Sequence, residues 1–179
     1  MQLKSLTVFC GSKSGSNALF VQQAIALGEL LAKKNIDLIY GGGNKGLMGA
    51  LANACLAMGG KVIGIIPKIL LEWEAQHTSL TELIITEDMH ERKKMLYEKG
   101  EAGLVLPGGM GTLDELFEML TWNNLKIHNK KVFILNIEGY FDALILLLNE
   151  MDKEGFMYDE WRDRIIVCPS LEALEAHLI

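Results

Sequence analysis

Three absences narrow the reading of this chain before any motif is considered. Cysteine is sparse: Cys10, Cys55 and Cys168 are widely separated and odd in number. No CxxC pair or Cys/His cluster suggests zinc, the four histidines lack ligand spacing, and no disulfide framework can be drawn. Each cysteine therefore reads as a small buried apolar residue in a reducing compartment. Basic charge is not in excess either, since 17 Lys and Arg stand against 23 Asp and Glu, for a net charge of −6. The cations are scattered, which argues against a nucleic acid partner. A local phosphate site survives this argument, because helix termini and loop amides bind anions on acidic proteins too. Long apolar runs are also missing. Nothing approaches the roughly 18 residues needed to span a membrane, and the apolar stretch in MQLKSLTVFCGS is too short for a signal peptide. A soluble, cytoplasmic protein with no metal and no membrane contact is predicted.

What is present is a chain of 179 residues, read as a single domain over 1–179 with a full core. Short apolar runs alternate with segments of helical period. Strands are expected at Leu3–Cys10, Ile36–Tyr40, Lys61–Ile66, Leu83–Thr86, Gly103–Leu106, Lys131–Asn136 and Ile165–Cys168. Helices are expected at Ser16–Lys34, Gly46–Met58, Met89–Lys99, Leu113 to about Ile127, Tyr140–Glu154 and Leu171–Leu178. Runs such as Val62–Ile66 and Val132–Leu135 are apolar throughout, as expected where helices cover both faces of a sheet. The alternation implies an α/β fold with a doubly wound, mostly parallel, Rossmann-like sheet. Ligands of such sheets sit beyond the carboxyl ends of the strands. Those ends carry the glycines here: Gly11, Gly41–Gly43 and Gly108–Gly111.

The first of the two long loops, Tyr40-Gly41-Gly42-Gly43-Asn44-Lys45-Gly46, is literally a GxGxxG. It follows the second strand rather than the first, and the acid expected about 20 residues on is missing; the next strand ends Ile65-Ile66-Pro67-Lys68. A nicotinamide cofactor is disfavoured, and no cofactor is assigned. The second loop is Leu106-Pro107-Gly108-Gly109-Met110-Gly111-Thr112-Leu113-Asp114-Glu115. Its glycines let consecutive amides converge on an anion, and the following helix adds its positive end. A phosphate is the natural occupant, and because the GK[ST] ending of a triphosphate loop is absent, nucleoside triphosphate chemistry is disfavoured.

Two segments keep double readings. Thr112-x-x-Glu115 fits a capping box, yet a carboxylate one turn from a phosphate would also lie beside the sugar of a nucleotide. In Asp88-Met89-His90-Glu91-Arg92-Lys93-Lys94 the acids can cap a helix. The cations can form a solvated face or place one or two members on a ligand.

Taken together the chain resembles the Lonely Guy family of phosphoribohydrolases. The likeness rests on Cys10-Gly11-Ser12, Gly41-Gly42-Gly43 with Gly46-Leu47-Met48-Gly49, Met89-His90-Glu91-Arg92-Lys93, and Pro107-Gly108-Gly109-Met110-Gly111-Thr112-Leu113-Asp114-Glu115. Thr121-Trp122, Ile127-His128-Asn129-Lys130 and Leu135-Asn136 with Gly139-Tyr140 also match, while Asn123-Asn124 departs from the glutamine usual there. The resemblance implies release of a free base and ribose 5-phosphate from a nucleoside 5′-monophosphate, either a cytokinin nucleotide such as isopentenyladenosine monophosphate or AMP. By position, Arg92 and Glu115 would be catalytic, and Gly108, Gly109, Met110, Gly111 and Thr112 would cradle the phosphate. Lys93, Gly42, Gly43 and Glu74 would be further substrate contacts. A homodimer is expected, from the family and from apolar Leu116, Phe117, Leu120 and Trp122 on one helix. The lysine decarboxylase label often given to such proteins finds no Schiff-base constellation here. A nucleotide-binding carrier with the same loops is the alternative from another class.

Overall fold

The computed structural model describes residues 3–71 and 76–178. Seven strands form one parallel sheet: β1 (Ser5–Phe9), β2 (Asp37–Tyr40), β3 (Val62–Pro67), β4 (Glu82–Thr86), β5 (Ala102–Val105), β6 (Val132–Leu135) and β7 (Ile165–Cys168). Six α-helices connect or follow them: α1 (Ala18–Lys33), α2 (Gly46–Ala57), α3 (Met89–Lys99), α4 (Met110–Asn124), α5 (Asp142–Lys153) and α6 (Leu171–Glu175). The strand order is β4-β3-β2-β1-β5-β6-β7, so the winding reverses between β1 and β5. Ligands of open α/β sheets gather at such a switch point.

Side-chain alternation along the strands divides the core into two layers. Leu6 and Val8 of β1 and Leu38 and Tyr40 of β2 join Leu27, Leu31, Leu51 and Cys55 on one face. Phe9 and Ile39 point the other way, to Leu96, Leu116, Met119 and Leu148. All six residues of β3 are buried, whereas only Thr86 is buried in the edge strand β4. Burial on both faces is why β3 is apolar without alternation. No helix among the described residues is long and apolar enough to cross a membrane.

α3 begins and ends where its signals place it. The Asp88 carboxylate accepts from the Glu91 amide, the Glu91 carboxylate accepts from the Glu87 amide, and Gly100 follows the last turn. α4 differs from expectation. It starts at Met110 rather than Leu113, with Gly109 as its N-cap and no side-chain cap. Thr112 is thus the third helical residue and Glu115 lies a turn and a half inside, so the Thr112–Glu115 capping box does not form. Two glycines at the helix start hide it from propensity reasoning.

Candidate functional site

The carboxyl ends of β1, β2 and β5 open into a cavity of ≈ 530 Å³. One wall is Pro107 through Thr112 together with Glu115, a second is Gly11 through Gly15, and Gly41, Met48, Arg92 and Tyr140 also line it. The walls are locked to one another through the backbone. The Gly11 amide donates to the Pro107 carbonyl at 3.0 Å, and the Leu47 amide donates to the Gly11 carbonyl at 3.1 Å. Gly46, at φ +58°, packs directly on the backbone of Ser12 and Lys13, where any Cβ would collide. Only glycine combines that dihedral with that approach.

At the first turn of α4 the glycines serve differently. Nothing in the protein fills the space that a Cβ would take at Gly109 or Gly111, and neither has a positive φ. Internal packing does not demand glycine at either position. The bare backbone leaves the first-turn amides, which have no intrahelical acceptor, open to the cavity. Thr112 turns its hydroxyl toward Gly108, and the Tyr140 hydroxyl donates to the Gly108 carbonyl at 2.6 Å. That arrangement suits an anion such as a phosphate.

Beside it lies a buried ion pair. Arg92 is 7 % exposed and Glu115 9 %, with Arg92 Nη1 3.2 Å from Glu115 Oε1. Arg92 Nε donates to the Ile65 carbonyl at 3.1 Å, tying α3 to the end of β3. The solvated-face reading therefore fails for Arg92. Cys10 also lines the cavity, and burial first, then the Glu115 charge, pushes its thiol pKa far up. A thiol of that kind stays protonated and is a poor nucleophile.

Other residues named from the sequence sit elsewhere. Lys93 does not line the cavity. Its ammonium lies 2.6 Å from Glu118 Oε2 and 3.2 Å from Asp114 Oδ2. Burial alone would lower the Lys93 pKa, but the hydrogen bonds to Glu118 and Asp114 outweigh it and raise it. Gly42 and Gly43 also lie outside the lining. The Gly42 carbonyl accepts from the His77 amide, and Gly43 bridges to Gln76. Glu74 falls outside the described residues. Conversely, Ser12, Lys13, Phe20 and Tyr140 reach the cavity without having been singled out for it. The glycine after β1 was the available signal, since β1 borders the switch point.

Chemically, the cavity offers amides for an anion at one end and a buried carboxylate matched by a guanidinium next to it. No group of three or more His, Cys, Asp or Glu able to hold a metal occurs among the described residues.

Residues 48–178 match the family model described as possible lysine decarboxylase. A cytokinin riboside 5′-monophosphate phosphoribohydrolase of Rhodococcoides fascians is 44% identical over 170 residues, covering 94% of this chain and 86% of the relative. The cytokinin riboside 5′-monophosphate phosphoribohydrolase LOG1 of Arabidopsis thaliana is 42% identical over 173 residues, covering 97% and 81%. Among solved structures, the molybdenum cofactor carrier protein of Chlamydomonas reinhardtii aligns with a TM-score of 0.73 at 18% identity, covering 97% of this chain and 94% of that one. At that identity the likeness shows a shared fold alone.

Proposed function

The chain belongs to the Lonely Guy family of cytokinin riboside 5′-monophosphate phosphoribohydrolases, and from that premise we propose that it hydrolyses the N-glycosidic bond of a nucleoside 5′-monophosphate. The products are the free base and ribose 5-phosphate. The observation that supports this reading best is the meeting, in one cavity, of the open first turn of α4 with the Arg92–Glu115 pair.

In this reading the 5′-phosphate accepts hydrogen bonds from the amides of Met110, Gly111 and Thr112. The ribose then lies over Glu115, one turn further along the helix. As the C1′–N bond breaks, its electron pair leaves with the base and positive charge develops on the sugar. The Glu115 carboxylate stabilises that charge and orients the water that attacks C1′. The departing base takes up the proton that the water gives up. Arg92 fixes the carboxylate, and its fork is oriented by the Ile65 carbonyl.

The decarboxylase wording of the family description implies pyridoxal phosphate, and the residues do not fit that cofactor. Among the described residues, the one lysine on the cavity, Lys13, is exposed, and the one carboxylate, Glu115, is paired with Arg92. A carrier role has only the fold-level likeness behind it. Incubation with AMP and with isopentenyladenosine monophosphate, following free base and ribose 5-phosphate, tests the reading. Stable binding of either nucleotide with no base released would favour a carrier.

A homodimer is part of this proposal, although its support shifts. Leu116 is buried in its own core, and Phe117, Leu120 and Trp122 pack against it. Leu125 and Ile127, just beyond α4, and Leu146, Phe156 and Tyr158 are among the exposed apolar side chains. Three free, buried cysteines agree with a reducing, cytoplasmic setting.

A further inference from the structure

Among the described residues, three charged side chains line the cavity: Lys13, Arg92 and Glu115. Two of them cancel, because the Arg92 guanidinium faces the Glu115 carboxylate at 3.2 Å while its Nε is taken by the Ile65 carbonyl. The adjacent Lys93 is engaged by Glu118 and Asp114 outside the cavity. The net positive charge of the site therefore resides on Lys13. Its ammonium is exposed and has no hydrogen-bond or ion-pair partner among the described residues.

The backbone beneath Lys13 is fixed while its side chain is free. Gly46 packs on the Ser12 and Lys13 backbone, and a Cβ on Gly11 would lie 3.0 Å from the Lys13 carbonyl. Gly11 is bonded in turn to Pro107, which leads into α4. The loop bearing the lysine is thus held against the start of α2 at Gly46 and against the entry to α4 through the Gly11–Pro107 bond.

A phosphate monoester carries about −1.5 to −2 charges at pH 7, whereas a helix start offers only roughly +0.5. The amides alone leave most of that charge unmatched, on a protein whose net charge is −6. We propose that Lys13 supplies the missing charge, making it a second, side-chain contact to the 5′-phosphate and the residue that sets preference for nucleotides over nucleosides. The proposal rests on the phosphoribohydrolase reading of the cavity. Lysine suits the task as a compact charge on a flexible stem, able to reach an oxygen that the amides leave open. Because the phosphate is remote from the bond that breaks, the contact acts equally on ground and transition states and governs KM rather than kcat.

The test compares wild type with Lys13→Ala, Lys13→Glu and Lys13→Arg. Ribose 5-phosphate binding is measured by calorimetry, AMP hydrolysis by steady-state kinetics, and folding by thermal melting. Lys13→Ala should weaken ribose 5-phosphate binding and raise the KM for AMP by about tenfold or more. Lys13→Glu should do worse, Lys13→Arg should restore most of the affinity, and the ligand-free melting midpoint should not move. Raised salt should weaken ribose 5-phosphate binding more in wild type than in Lys13→Ala. Unchanged ribose 5-phosphate affinity in Lys13→Ala overturns the proposal, as does a wild type that fails to bind ribose 5-phosphate at all. A wild type that binds ribose 5-phosphate through Lys13 but releases no base from AMP sinks the enzymatic reading and leaves the phosphate contact standing.

Discussion

Gly41 and Arg92 compete for one volume. A Cβ on Gly41 would overlap the Arg92 guanidinium, with the Met48 sulfur 3.2 Å away. The guanidinium lies against the end of β2 because residue 41 has no side chain. The first glycine-rich loop thereby contributes to the site not by touching a ligand but by making room for the arginine of another helix.

Gly41→Ala follows directly. The clash is with the far end of a flexible side chain, so the fold absorbs it and the melting midpoint should move little. Arg92 must shift, however, and displacement of a catalytic group by about 1 Å can cost roughly 10²-fold in rate. Base release from AMP should fall by that order. Wild-type turnover in a folded Gly41→Ala protein would remove Arg92 from the chemistry.

For Glu115→Gln, turnover should fall by about 10²–10³, the usual loss on removing one electrostatic contributor. Because Glu115 lies inside α4 and faces a buried guanidinium, stability should fall as well, by at most about 3–5 kcal/mol. Base release and melting read the two effects separately. Full turnover would move the chemistry to another carboxylate.

Arg92→Lys tests the fork. Lysine can reach the Ile65 carbonyl or Glu115, not both in the present geometry, so most turnover should be lost despite the retained charge. Combined with Glu115→Gln, the double variant should be scarcely slower than either single one, since paired groups act as a unit. Additive losses in base release would show the two to be independent.

His77 predicts a pH dependence of stability. It is buried, its Nε2 lies 3.0 Å from Asn53 Oδ1, and its Nδ1 accepts from the Ser79 amide, which marks a neutral ring. Burial holds its folded pKa below the unfolded value of 6.5. Between those two values the unfolded chain binds a proton that the folded chain does not. The contribution is therefore complete above 6.5 and is lost as pH falls through the folded value. His128 is lowered too, by burial and then by Lys130 and Arg164, and adds in the same sense. Melting midpoints should decline from about pH 7.5 to about 5.5 (one unit either side of 6.5), with a shallower slope in His77→Gln. Parallel slopes would mean that His77 accepts its proton without penalty.

The dimer is tested at its exposed apolar side chains. Leu125→Glu with Ile127→Glu should convert a dimeric mass in light scattering to a monomeric one without unfolding the chain. A monomeric wild type would end the proposal outright.

Much of this was readable in the sequence where local signals dominate. Apolar runs without alternation identified β3 and β6, and the expected span Met89–Lys99, with Asp88 as a capping acid, matches α3 to the residue. The start of α4 was not readable. Gly-Met-Gly-Thr scores as a loop, and Thr112-x-x-Glu115 imitates a cap, whereas tertiary placement begins the helix at Met110. Lys13 and Tyr140 carry no local signal for a different reason. Their arrival at the cavity depends on contacts between distant segments, Gly11 to Pro107 and Tyr140 to Gly108, which no local pattern records. The roles of Gly42 and Gly43 were obscured likewise, because their partners at 76–77 lie on another connection.

The order of strands also bears on how the molecule is made. β1 to β4 are laid down as successive neighbours, each pairing with the one just synthesised, but β5 must return across the whole first half to pair Leu6 with Ala102. Arg92 belongs to the segment before that return and Glu115 to the segment after it. A growing chain thus carries an isolated, buried-to-be cation until the second half docks, and long-range parallel pairing of this kind is intrinsically slow. The Arg92–Glu115 pair joins a helix of the first half to a helix of the second, so the cavity is armed only in a chain whose two halves of the sheet have docked.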